Sequence, residues 1–157
     1  MTVVAEAAAA PVAYVGIVTR AIAFAVDALA IQFVALAVAG SVALILSVVS
    51  PPDKLDPVIV AVGSAAYALW LVGYFVVFWS STGETPGNRV LRIRVCRASD
   101  GGVPGAGAAL LRFAGLILAA LPLFAGFLPI LLDDRRRGAH DMLAGTFVVP
   151  APPRPAR

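Results

Sequence analysis

The sequence predicts an all-α integral membrane protein with two transmembrane helices, a third Pro-broken hydrophobic segment and a small cytoplasmic β element. Three observations carry that expectation. The chain of 157 residues is 61% hydrophobic and only 13% charged, whereas soluble domains carry about 25% charged residues. Its apolar residues lie in long charge-free runs, the mark of a chain solvated by lipid. Its basic residues are placed unevenly: of 12 Lys and Arg, only Lys54 lies in the first inter-segment loop, a bias that follows the positive-inside rule.

Residues 1–13 read as a disordered cytoplasmic leader. They are Ala-rich, hold one acid, Glu6, and lack the basic n-region of a secretory signal. The first apolar segment covers residues 14–49, with Asp27 the only ionisable residue after Arg20. At 1.5 Å per residue, the stretch 21–49 is roughly 43 Å long against a hydrocarbon core of ~30 Å, so it must tilt, bend near Gly40 or begin at the interface. Ser50-Pro51-Pro52-Asp53 ends it. The second segment, residues 58–79, is charge-free, sets Tyr67 and Tyr74 on one face and closes on Trp79 as an interfacial anchor.

The next connection holds Arg89, Arg92, Arg94 and Arg97, which predicts that it and the N-terminus are cytoplasmic. Gly83-Glu84-Thr85-Pro86-Gly87 signals a turn, residues 90–95 alternate partly like a strand, and residues 145–149 form a second β-prone run. Those runs can pair only on one side of the membrane. The third apolar segment, residues 108–132, holds Pro122 and Pro129. A single span would place Arg135, Arg136 and Arg137 outside, so a broken, re-entrant segment with both ends inside is favoured over a kinked full span. Residues 14–150 therefore form one membrane domain, followed by a Pro/Arg-rich tail, 151–157.

Arg20 and Asp27 are seven residues apart, so they share a helix face and lie roughly 10 Å apart along its axis. A carboxylate at that depth must be paired, hydrated or protonated. Two readings stay open: a structural Asp that fixes packing, or a proton- or cation-linked carboxylate. The run Asp133-Asp134-Arg135-Arg136-Arg137-Gly138-Ala139-His140-Asp141 also has two readings. It is a solvated tail gripping anionic lipid heads, or it folds back so that Asp141 or Asp133 meets Arg20. His140 has no Cys or second His nearby, which argues against a metal centre.

Several function classes find no support. No nucleic-acid module or aromatic-interleaved basic patch is present, and no nucleophile elbow, P-loop, HExxH or dinucleotide fingerprint. No enzyme activity and no cofactor are expected. With one cysteine, Cys96, no intrachain disulfide can form. Small residues at Gly40, Ser41, Gly63, Ser64 and Gly73 suit close helix packing within the chain or between copies.

Four stretches resemble the RDD family of membrane proteins. They are Arg20-x-x-Ala23-Phe24-x-x-Asp27, Gly83-x-Thr85-Pro86-Gly87-Asn88-Arg89, Leu110-Leu111-Arg112, and Arg137-Gly138-Ala139-His140-Asp141-Met142-Leu143-Ala144-Gly145-Thr146. In order they cover nearly the whole chain. Asn88 stands where Lys is usual and Ala139 where Leu is common. The resemblance implies that Arg20, Asp27 and Asp141 are the Arg and two Asp of the family's name, with Asp133 as the alternative to Asp141. Transport of unidentified ligands, and cation/proton exchange for some members, is what it implies about activity.

Two functions are carried forward. The first is a multi-pass protein of the cell's inner (plasma) membrane, N-terminus cytoplasmic, that transports a small ion or solute. Its ion-linked residues are Arg20, Asp27, Asp141, Asp133 and His140, and it works as a homo-oligomer, because three hydrophobic segments enclose little volume. The second is a non-transporting accessory protein that docks a partner through its cytoplasmic loop and tail. In both, the basic loops lie against anionic lipid head groups.

Overall fold

The computed structural model describes residues 13–49 and 57–152. The expectations for the leader before Ala13, the first loop and the end of the tail lie outside those residues. Helix α1 spans Ile17–Val49 and α2 spans Pro57–Ser81. Both are apolar and long enough to cross a bilayer. At 1.5 Å per residue they measure about 50 Å and about 37 Å. α1 continues as helix through Gly40, so that residue causes no break.

Short elements follow. Helix α3 is Pro86–Val90, strand β1 is Ile93–Arg97, and helix α4 is Ala106–Ala120. A 3-10 turn at Ala125–Phe127, helix α5 at Pro129–Leu132, helix α6 at Ala139–Ala144 and strand β2 at Thr146–Pro150 complete the order. The fold is thus mostly helical with one two-stranded sheet.

The strands pair antiparallel, with Val95 opposite Val148 and Cys96 opposite Phe147. β1 starts later than the β-prone run at 90–95 suggests. Thr85 caps α3, its hydroxyl accepting the Asn88 N–H at 3.2 Å, and Pro86 occupies the first turn. The helix therefore claims Val90, and the chain turns through Arg92 at a φ of 53° before it extends. The segment ahead of α1 lies against β2: Val15 donates its N–H to the Val148 carbonyl at 3.0 Å, and Tyr14 meets Phe147 edge-on at 5.7 Å.

The third apolar segment is broken. α4 ends at Ala120, one residue before Leu121-Pro122, and Leu123 and Phe124 both take left-handed backbone at φ 51° and 63°. The 3-10 turn then lies back on α4, with Gly126 against Ala119, and Pro129 opens α5. The chain then returns to α4, against which α6 packs so closely that a Cβ on Gly115 would meet the His140 backbone at 2.9 Å.

The core therefore gathers at one end of the long helices. Ala23 and Ile31 of α1, Phe75 and Trp79 of α2, Val95 of β1, Ala109 of α4 and Val148 of β2 form it. Phe75 stacks at 5.0 Å on Trp79 and at 5.7 Å on Phe113. The other end is bare: Phe33, Leu36, Leu44, Val58 and Leu69 are exposed. Gly40, Gly63 and Gly73 have nothing among the described residues within contact distance where a side chain would be. Ser41 and Ser64 satisfy their hydroxyls on their own helices, each donating at 2.8 Å to the carbonyl four residues back.

The register gives a direct check. Directly opposed residues in an antiparallel pair lie within disulfide reach, so Phe147→Cys should cross-link to Cys96 under mild oxidation. Peptide mapping should find that bond, and a failure to form it in folded protein would contradict the pairing.

Candidate functional site

Asp27 sits on the α1 face turned toward α2 and α3 and is 1% exposed. Its carboxylate accepts hydrogen bonds from the Tyr74 hydroxyl at 2.8 Å, the Thr85 hydroxyl at 2.6 Å and the Gly87 N–H at 2.7 Å. Each donor has a local cause. Tyr74 lies on the face of α2 that also carries Tyr67, which donates to Gln32 at 2.6 Å. Thr85 is the α3 cap, so its hydroxyl accepts at the helix N-terminus and donates to Asp27. Gly87 is the close approach: a Cβ there would collide with the Ala23 carbonyl and come within 2.8 Å of the Asp27 carboxyl. Only glycine lets α3 press its amide onto that oxygen. Among the described residues no basic side chain forms an ion pair with Asp27.

Arg20 does not pair with Asp27 despite the shared face. It turns to the far end of the chain. Its guanidinium forms an ion pair with Asp141 of α6, and it also donates to the Val15 carbonyl at 3.1 Å and the Arg136 carbonyl at 2.8 Å. Asp141 is fully buried and is shared: Arg112 of α4 meets its other oxygen. Arg112 also donates to the Thr146 hydroxyl at 2.8 Å and lies 5.0 Å over the Trp79 ring. The Gly138 N–H completes the set, donating to Asp141 at 3.0 Å. Burial alone would raise the Asp141 carboxyl; Arg112, then His140 and Arg20, hold it well below the usual carboxylate range.

His140 is 1% exposed and lies beside Asp141, with Nε2 3.5 Å from the carboxylate and the ring 5.2 Å from Phe127. Neither ring nitrogen has a hydrogen-bond partner. Burial, and next the charge of Arg112, push its pKa down to about 3, so the ring is neutral at physiological pH. Asp133 lies apart from this cluster. It receives Arg137 at 2.9 Å and the N–H groups of Arg135 and Arg137, and the Arg137 contact foremost lowers it to about 2. Its place is to close the turn between α5 and α6. Of the two C-terminal acids open on the sequence, it is Asp141 that meets Arg20.

The structure therefore separates two sites. One is the ion cluster of Arg20, Arg112 and Asp141 with His140 beside it. The other is Asp27 with its ring of neutral donors. The sequence reading named Arg112, Tyr74, Thr85 and Gly87 but did not assign them to the site. A signal for Arg112 existed: it is the one charged residue of α4. Thr85 and Gly87 were visible as a turn and as part of a family-like stretch, but nothing local says which carboxylate a turn will face. No group of His, Cys, Asp and Glu able to hold a metal occurs among the described residues.

Two bare apolar helices rising from an ion-paired base that gathers both ends of the described chain define a mostly helical protein of the membrane class. The chain belongs to the RDD family, whose model matches residues 14–145. Neither the curated proteins nor the solved structures gave a match.

The neutral burial of His140 fixes a pH dependence. Its folded pKa lies below its ordinary 6.5, so the unfolded chain binds the extra proton in that interval and stability falls as pH drops below about 6.5. One proton limits the slope to about 1.4 kcal/mol per pH unit. Asp141, also depressed, adds a further loss below the ordinary carboxylate range. As His140 is the chain's one histidine, His140→Asn should flatten thermal unfolding in detergent between about pH 6.5 and 4.5 and leave the lower fall in place.

Proposed function

We propose that the protein is a multi-pass plasma-membrane protein that moves a small cation or proton, coupled through Asp27. The observation that carries this reading is a buried acid on a membrane helix with neutral oxygen and amide partners and no ion pair. An acid kept in an apolar helix marks a functional site more often than a packing device. The surrounding groups suit a hard cation or a proton. Besides its own oxygens, Asp27 has the Tyr74 and Thr85 hydroxyls beside it, and both can turn lone pairs toward an ion.

Long side chains rather than close backbone approach bridge α1 and α2. The bare halves of both helices leave room for neighbouring copies, so the working form is a homo-oligomer whose pathway runs between chains. In proteoliposomes, wild-type protein should exchange cations for protons and Asp27→Asn should abolish that exchange. Exchange unchanged by the substitution, or none from verified folded protein, would sink the transport reading.

The proposed orientation places the ion-paired base, both described chain ends and the basic connection on the cytoplasmic side, with the third segment re-entrant. The hydrogen bond from Val15 to β2 and the pairing of β2 with β1 support it, as does the break after Ala120. In a Cys96→Ser background, Ala151→Cys should resist an impermeant thiol reagent in intact cells and react after permeabilisation. Labelling from outside would reverse the orientation.

One observation favours a second reading, in which the base docks a partner. An open groove of about 440 Å³ runs along the sheet past Arg94, Cys96, Phe147, Val149 and Pro152. Folded protein that performs no exchange would favour it.

A further inference from the structure

Inside the base, Arg20, Trp79, Asn88 and Arg112 enclose a cavity of about 10 Å³, walled otherwise by Phe24 and apolar side chains of β1 and β2. That is room for about one water-sized particle. The polar groups around it are nearly all donors. A guanidinium has no acceptor and an indole has only its N–H. Two of these donors, Arg112 Nε and Trp79 Nε1, are buried and have no hydrogen-bond partner. No acidic side chain lines the cavity, and the Asn88 amide oxygen is the one side-chain acceptor there.

The charge count points the same way. Arg20, Arg112 and Asp141 are 4%, 2% and 0% exposed. Two guanidiniums share one carboxylate, which leaves a buried positive charge unmatched. The next acid along α1, Asp27, is turned to Tyr74, Thr85 and Gly87 and makes no ion pair with either guanidinium, and Asp133 is paired with Arg137. Buried charge without a counter-charge is strongly disfavoured.

We propose that this cavity binds one halide-sized anion, chloride under physiological conditions, through the N–H groups of Arg20, Arg112 and Trp79. Each neighbouring group fits an occupant that only accepts hydrogen bonds. A cation would face two guanidiniums. A phosphate or sulfate exceeds the volume. A water would have two protons to donate and one side-chain acceptor to receive them. The anion also completes the charge balance of the cluster that joins α1, α4 and α6. This site is independent of whether Asp27 carries ions.

The test replaces gluconate with chloride at constant sodium and ionic strength and follows thermal unfolding of the purified protein in detergent. The unfolding temperature should rise saturably with chloride, and bromide should act in the same way. Trp79→Phe keeps the ring and removes the N–H, and should raise the half-saturating chloride concentration at least about fivefold, as expected for a lost hydrogen bond to a charged group. Asn88→Asp sets a fixed negative charge in the cavity wall and should remove the chloride response. A wild-type unfolding temperature indifferent to the exchange means that water alone fills the cavity, and overturns the proposal. A response left unchanged by Trp79→Phe marks a general salt effect and overturns it as well. Should Asn88→Asp fail to fold, the wild-type and Trp79→Phe titrations decide alone.

Discussion

Everything at the base of this protein is organised by one carboxylate held between two guanidiniums. Asp141 joins Arg20, 121 positions before it, to Arg112, 29 positions before it. Those contacts tie the start of the first membrane helix, the broken third segment and the last helix into one body. The sheet closes over the same point, because β2 follows α6 directly and brings Val148 onto Val15 and Val95. In a low-dielectric interior such a group attracts strongly, and it is equally costly to leave incomplete. Removing one partner of a buried pair costs about 3–5 kcal/mol. The ion cluster is therefore better understood as what makes this arrangement unique than as a general source of stability.

The two buried acids solve the same problem differently. Asp141 is balanced by opposite charge and by an amide from Gly138. Asp27 is held by hydroxyls and an amide with no ion pair. A carboxylate locked by guanidiniums has little freedom to take up and release a cation. One held by hydroxyls keeps that freedom, because a hydroxyl can give up its donated bond and offer a lone pair instead. That contrast favours Asp27 over Asp141 for the proposed ion-linked role.

Much of this was legible in the sequence, for identifiable reasons. The long helices follow from charge-free runs bounded by prolines, and the break in the third segment from Pro122 and Pro129. The return of the C-terminal run to Arg20 was one of two readings open for its dense charge, and the basic residues after the third segment favoured a re-entrant course over a full span without excluding one. Pairings were harder to read. Helical spacing put Arg20 and Asp27 on one face, yet sharing a face fixes only direction. Each side chain reaches a different neighbour, Asp141 or Tyr74, chosen by tertiary packing. Glycine at position 87 reads as part of a turn; its true constraint, the approach of α3 to α1, appears only once both elements are placed. Strand β1 was displaced because the Thr85 cap and Pro86 extended a helix into residues whose β propensity pointed the other way.

The inward turn of every partner also explains how so long a helix as α1 is tolerated. Its length of about 50 Å exceeds the ~30 Å hydrocarbon core, and its first turns carry Arg20 and Asp27. Those two residues are buried, while Val18, Ile22 and Leu29 on the outward face are 69%, 49% and 73% exposed. On α4 the same division holds: Arg112 faces in, and Leu110, Ile117 and Leu118 face out. The outward faces of α1 and α4 present hydrocarbon, while the exposed charges of the base, among them Arg92, Asp100, Asp134 and Arg135, lie on its connecting turns. Surplus length then needs no charged side chain to meet lipid, and tilt or partial immersion can absorb it at modest cost. On α1 and α4 the charges set the fold from within, and the apolar outer faces leave the depth of insertion to the bilayer.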